Sequence, residues 1–231
     1  MLTQLKEYMF TSKLTVSTCP IVSEKQQDTI TIRKKPSKSP WLMPRFDDTL
    51  FWCFYIIHHS LSDYELTSNS GFKEERSFKI AFVEAIRNKP DFIKANKISR
   101  TTLENEMVND KKISLLGFEA LCLFYNIRAI VIQARMFVET GPTAGVLHVI
   151  QFRKGKYELL MKQSIDIEEY IKQLIKVKTF MKPLNAQTSY KLADLEYMSK
   201  KMGICWEGKA RKRDLYDKLL VTLTKEPDFP I

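Results

Sequence analysis

Cys53 and His148 are the pair in this chain that could carry nucleophilic chemistry, since a cysteine followed at a distance by a histidine supplies a nucleophile and a base. Cys53 lies in DDTLFWCFYIIHHS, residues 47–60, where Leu50 to Ile57 are apolar without a break and two aspartates precede them. That pattern predicts a capped helix, and a helix apolar on every side must be buried. A thiolate gains most from the helix dipole at the first turn. Thr49 holds that slot, and Cys53 sits about one turn further in. Burial there raises a thiol pKa and favours the inert form. His148 sits in VLHVI, where alternation points it to the face opposite Leu147 and Val149. The competing reading is therefore a structural cysteine and an ordinary strand histidine.

Other chemistries find less support. His58 and His59 are adjacent, so on a helix they diverge and cannot easily share one ion, and no third ligand at suitable spacing follows. We expect two histidines favoured by a helix C-terminus, no metal site and no cofactor. The chain has seven glycines and neither a GxxxxGKS/T nor a GxGxxG motif, which argues against a phosphate-cradling loop. Cys19, Cys53, Cys122 and Cys205 stand far apart with no CxxC pair, so neither a zinc knuckle nor a disulfide framework is indicated.

The formal net charge is +10 over 231 residues, which suggests a polyanionic partner. Nucleic acid is the first candidate. Lys209, Arg211, Lys212 and Arg213 cluster just before a helical stripe of Leu215, Leu219 and Leu220, so cationic side chains and free backbone amides could meet one run of phosphates. Asp194, Glu196, Glu207, Asp214 and Asp217 dilute that basicity, and a solvated basic turn is the plainer reading. Trp206 could stack on a base or simply cover the helix pair. The apolar runs are too short to span a bilayer and the N-terminus lacks a signal-peptide core, so we expect no membrane insertion and an intracellular location.

These residues must be positioned by a mixture of helices and strands. TITIR, residues 29–33, alternates like a short strand, and KKPSKSPWLMPR reads as an extended linker with the packed domain starting near Pro44. Leu61 to Glu75 is polar and turn-rich. FKIAFVEAIRNKPDFIKAN predicts two helices broken at Pro90, and Thr101 with Glu104 three residues on predicts a capping box. Ile113 to Asn126 reads as a second buried helix. IRAIVIQA reads as a central strand, MFVET as another, and VLHVIQF-RKGK-YELLM as a hairpin turning at Gly155. Residues 165–180 predict an amphipathic helix ended by Pro183, and Tyr190 to Leu223 two short helices joined by a loop.

DDTLFWCFYI, FIKANKISRTTLENEMVNDKKIS, FEALCLFYNIRAIVI and GKYELL together resemble the ovarian-tumour (OTU) class of papain-like deubiquitinases over roughly residues 46–161. The resemblance implies a nucleophilic cysteine at the start of the first helix and a histidine opening the last strand. This chain has Thr49 and Lys156 at those positions, with Tyr157 following. Threonine has no accessible ionised form near neutral pH, so the two replacements imply lost catalysis. The DTLFWCFYI run also resembles proteins of large DNA viruses infecting eukaryotes.

The tail is similar to a SAP-type DNA-binding module, through Leu192-Ala193-Asp194-Leu195, then Gly203-Ile204, then Gly208 ahead of Lys209 to Leu215, with a loop about two residues longer.

The expectation is an α+β chain. It comprises a basic arm and linker (1–45), a helical OTU-like, papain-type domain with a small antiparallel sheet (46–183) and a SAP-like helix pair (184–231). The favoured function is a non-catalytic viral binding protein that contacts nucleic acid through its tail and a ubiquitin-like or viral protein through the old protease cleft. It would act in the host cytoplasm, a virus factory or the virion. The alternatives are an active deubiquitinase using Cys53 and His148, and a structural virion or assembly protein.

Overall fold

The structure, a computed structural model, describes residues 39–161, 167–204 and 211–225. The expected strand at 29–33, and Cys19, Cys205, Trp206, Gly208 and Lys209, lie outside the described residues. The fold is mixed α and β, with one six-stranded sheet among those residues.

Helix α1 (Thr49–His58) begins where the Asp48 carboxylate accepts the Phe51 amide at 3.2 Å, which satisfies one of the orphan donors of the first turn. Every residue from Thr49 to Ile56 is buried. Helix α6 (Leu115–Phe124) is capped by Ser114, and the chain leaves it through Asn126 in the left-handed region, at φ 56°. These two apolar helices pack together over the sheet.

The strands are β1 (Trp41–Leu42), β2 (Arg128–Gln133), β3 (Met136–Thr140), β4 (Leu147–Arg153), β5 (Lys156–Leu160) and β6 (Ile175–Lys176), in the order β1-β5-β4-β2-β3-β6. Lys154 and Gly155 both have positive φ, 49° and 78°, as a tight two-residue hairpin requires. Side chains alternate between two covered faces. Ala129, Val131, Ile150 and Leu159 face α1 and α6, while Ile130, Ile132 and Val149 face α7 (Ile167–Gln173).

Several expectations need correction. The sheet is mixed rather than antiparallel, because β4 returns on the far side of β2 from β3, so β2 and β4 run the same way. Of the helix expected over 165–180, residues 165 and 166 lie outside the described residues, and the described part is helical only through α7. The chain then straightens, and the amides of Ile175 and Val177 donate to the Arg135 and Phe137 carbonyls, adding β6 in parallel to β3. The stretch read as polar and turn-rich forms α2 (Leu61–Leu66) and the start of α3 (Gly71–Arg87), with α2 capped by Ser60 and Asp63. Packing begins before Pro44, since Trp41 and Leu42 pair with Leu160 and Leu159. Helix α4 (Pro90–Ala95) starts at the expected proline, but α5 (Arg100–Asn109) is entered from Ser99. Glu104, read as a capping-box partner, instead holds Arg87 and Arg100.

Helices α8 (Leu192–Lys201) and α9 (Lys212–Thr224) share a core with the sheet. Leu195, Leu215, Leu219 and Leu223 cluster with Met136 and Val138 of β3 and with Ile175 and Val177. Two basic side chains strengthen that seam, Arg135 donating to the Met202 carbonyl and Lys201 to the Leu174 carbonyl. Among the described residues no helix is long and apolar enough to cross a membrane.

Candidate functional site

The start of α1 and the opening of β5 meet. Thr49 is buried, and its Oγ1 accepts a hydrogen bond from the Tyr157 amide at 2.9 Å. Lys156, the preceding residue, is exposed at the mouth of the hairpin. The two positions singled out in the sequence are therefore brought to one place by residues 108 apart in the chain. The hydroxyl that would have to attack is occupied as an acceptor and shielded from solvent. A nucleophile needs an adjacent base and an approach path, and Thr49 is engaged with a backbone N–H instead.

Cys53 is fully buried one turn along. Burial, and after it the charges of Glu158 and Asp48, push its thiol well above the ordinary range. His148 pairs with Ala129 across the β2–β4 ladder and shares a face with Ile150, half-buried and without a hydrogen-bond partner among the described residues. Burial holds its imidazole below the usual value. No hydrogen bond joins it to Cys53 among the described residues. Cys122 is equally shielded, its thiol raised to about 12 by burial.

What the sequence did not single out is a buried ionic network beneath the start of α1. Asp48 Oδ2 accepts from Lys79 Nζ at 2.7 Å and from the Ile113 amide at 2.9 Å. Lys79 also bonds Glu75 at 2.7 Å, and Glu75 accepts from the Trp52 indole at 3.0 Å. The ammonium lies 5.0 Å from the centre of the Phe51 ring. A signal was present: Lys79 falls on the same helical stripe as Phe82, Val83 and Ile86, where a lone cation needs a buried acid. This network makes α1, α3 and the loop before α6 one unit. A cleft of about 460 Å³ opens beside it, walled by Phe46, Phe72, Arg76 and Met107, and Thr49, Cys53, His148 and Lys156 are not in its lining.

His58 and His59 pack against each other and against Phe54, Tyr55, Phe78 and Tyr125. Burial, with His59 adding to it, lowers the His58 pKa.

In the tail, Arg211 stands at the N-cap of α9 with Lys212 and Arg213 in its first turn. Arg211 and Arg213 are exposed, and Lys212 is half-exposed. Arg213 approaches Asp217 only to 3.9 Å, an exposed pair contributing about 0–1 kcal/mol and readily exchanged for another anion. Compared with protein-family models, with curated proteins and with solved structures, the chain matches none.

Proposed function

We propose that this chain is a non-catalytic binding protein on a degenerate OTU-like scaffold, engaging nucleic acid through the basic start of α9. The observation that carries the non-catalytic half is the Thr49–Tyr157 hydrogen bond, which uses the hydroxyl at the nucleophile position to tie helix to strand. Cys53 is fully buried, and burial pushes its thiol well above the ordinary range, which favours the inert form. The binding half is supported by Arg211, Lys212 and Arg213, which crowd the positive end of a 13-residue helix and, among the described residues, are not committed to close ion pairs. Phosphate contacts of this kind position a duplex without reading its bases.

The test uses the full chain, because α8 and α9 share a core with the sheet. Binding to a fluorescent duplex should weaken steeply with added salt. Changing Lys209, Arg211, Lys212 and Arg213 to Gln should flatten the log–log slope by about 0.9 for each phosphate that is no longer neutralised. An unchanged slope in the fourfold variant would remove the tail from the interface.

A further inference from the structure

Helix α6 has one charged residue in ten, Glu119. Its apolar composition predicts burial on all sides, yet one face stays open. Leu116, Glu119 and Leu123, at i, i+3 and i+7, form one wall of a groove of about 260 Å³, and Ile98, Thr102 and Leu103 line the other side. Leu116 is 67% exposed at its rim. The groove thus sets the apolar Ile98, Leu103, Leu116 and Leu123 beside polar residues, with the Glu119 carboxylate between two leucines of its own helix.

That carboxylate has nothing to hold. Glu119 is half-buried and makes no hydrogen bond or ion pair among the described residues. Glu106, which reaches the same groove, is already committed: its two oxygens take the Ser114 amide at 2.6 Å and the Ser114 hydroxyl at 2.9 Å. Lys97 lies on the lining too, but forms no ion pair with Glu119. A partly desolvated acid without a partner is costly, and its carboxyl is accordingly held above the usual carboxylate range by burial. A cation arriving with its own apolar stem would lower that cost and cover the leucines at the same time.

We propose that the α6 groove is a docking site for an arginine side chain of a partner protein, its guanidinium pairing with Glu119 and its methylenes lying along Leu116 and Leu123. Arginine fits better than lysine because its guanidinium is weakly hydrated and meets a carboxylate with two parallel bonds. A protein fits better than a nucleic acid, since phosphates are repelled by Glu119. The exposed Leu116 adds an apolar platform for the residue next to the arginine, the arrangement of an anchor within a drier ring. The site is separate from the basic tail, so it stands or falls independently of nucleic-acid binding.

The experiment is an NMR titration of the full chain with N-acetyl-arginine N-methylamide, with the norleucine analogue as the uncharged control. The Glu119 carboxyl carbon and the Leu116 and Leu123 methyls should shift saturably with the arginine compound, and the Glu119 titration midpoint should move down as it binds. The norleucine compound should bind at least about tenfold more weakly, as should the arginine compound to Glu119→Gln. Lys97→Ala should bind at least as well as the parent, because the incoming side chain supplies the cation. Leu116→Ser, at an exposed position, should weaken binding without altering the rest of the spectrum. Equal shifts from both compounds, undiminished binding to Glu119→Gln, or loss of binding in Lys97→Ala would each overturn the proposal.

Discussion

Thr49 Oγ1 accepts a hydrogen bond from the Tyr157 amide at 2.9 Å, and this bond joins the first turn of the central helix to the last hairpin of the sheet. Replacing Thr49 with Val keeps the shape and removes the acceptor, leaving a shielded N–H unsatisfied. The expected loss is about 1–3 kcal/mol, read from the urea midpoint, and Thr49→Ser should recover most of it. An unchanged midpoint in the valine variant would mean that the amide finds another partner.

Chemistry at the thiols should be silent in the native state. A ubiquitin-based thiol probe should not label the protein, and alkylation of Cys53, followed by mass spectrometry at that residue, should rise only as urea unfolds the chain. Native labelling abolished by Cys53→Ala would restore an active protease with His148 as its base.

The buried ionic network should be costly to break from one side. Lys79→Met leaves the Asp48 carboxylate buried without its cation and should destabilise by about 3–5 kcal/mol. Adding Asp48→Asn should return part of that, because the stranded charge goes with it. If the single variant were as stable as the parent, the pair would contribute nothing net.

Phe54 is fully buried where α1 meets Phe78 and Tyr125, so Phe54→Ala should cost about 3–5 kcal/mol by denaturant titration. Ile57, expected to be equally deep, is only partly buried and should tolerate Ala better.

Acid should weaken the fold before its carboxylates titrate. The folded state holds the His58 and His148 imidazoles below their ordinary value of about 6.5. The unfolded chain then takes up those protons first, so the contribution is complete above about pH 6.5 and is lost as pH falls below it. The urea midpoint should drop between pH 7.5 and 5.5, and less so when both residues are Gln. An equal drop in that double variant would assign the effect elsewhere.

Much of the scaffold was legible because it is written in short-range terms. The Asp48 cap and the unbroken apolar run mark α1, Asn126 marks the end of α6, and Lys154-Gly155 marks the hairpin. Each signal acts within about one turn of the chain, where capping, left-handed backbone and hydrophobic period are set by neighbours. The basic start of α9 is legible for the same reason.

Tertiary structure decided what depends on distant partners. IKVK could continue a helix or form a strand, and it became β6 because the edge of β3 offered unpaired backbone groups. The path of β4 to the far side of β2, which makes their pairing parallel, has no local signature. Lys79 stands on the apolar stripe of its helix, but which acid it would meet was decided only when Asp48, 31 residues away, came beneath it. The open face of α6 could not be read either, since whether an apolar stripe is covered depends on which elements arrive. Sequence determined which helices must be buried; only packing decided which hydroxyl, which cation and which face they would meet, because those contacts form only after the chain has closed its long loops.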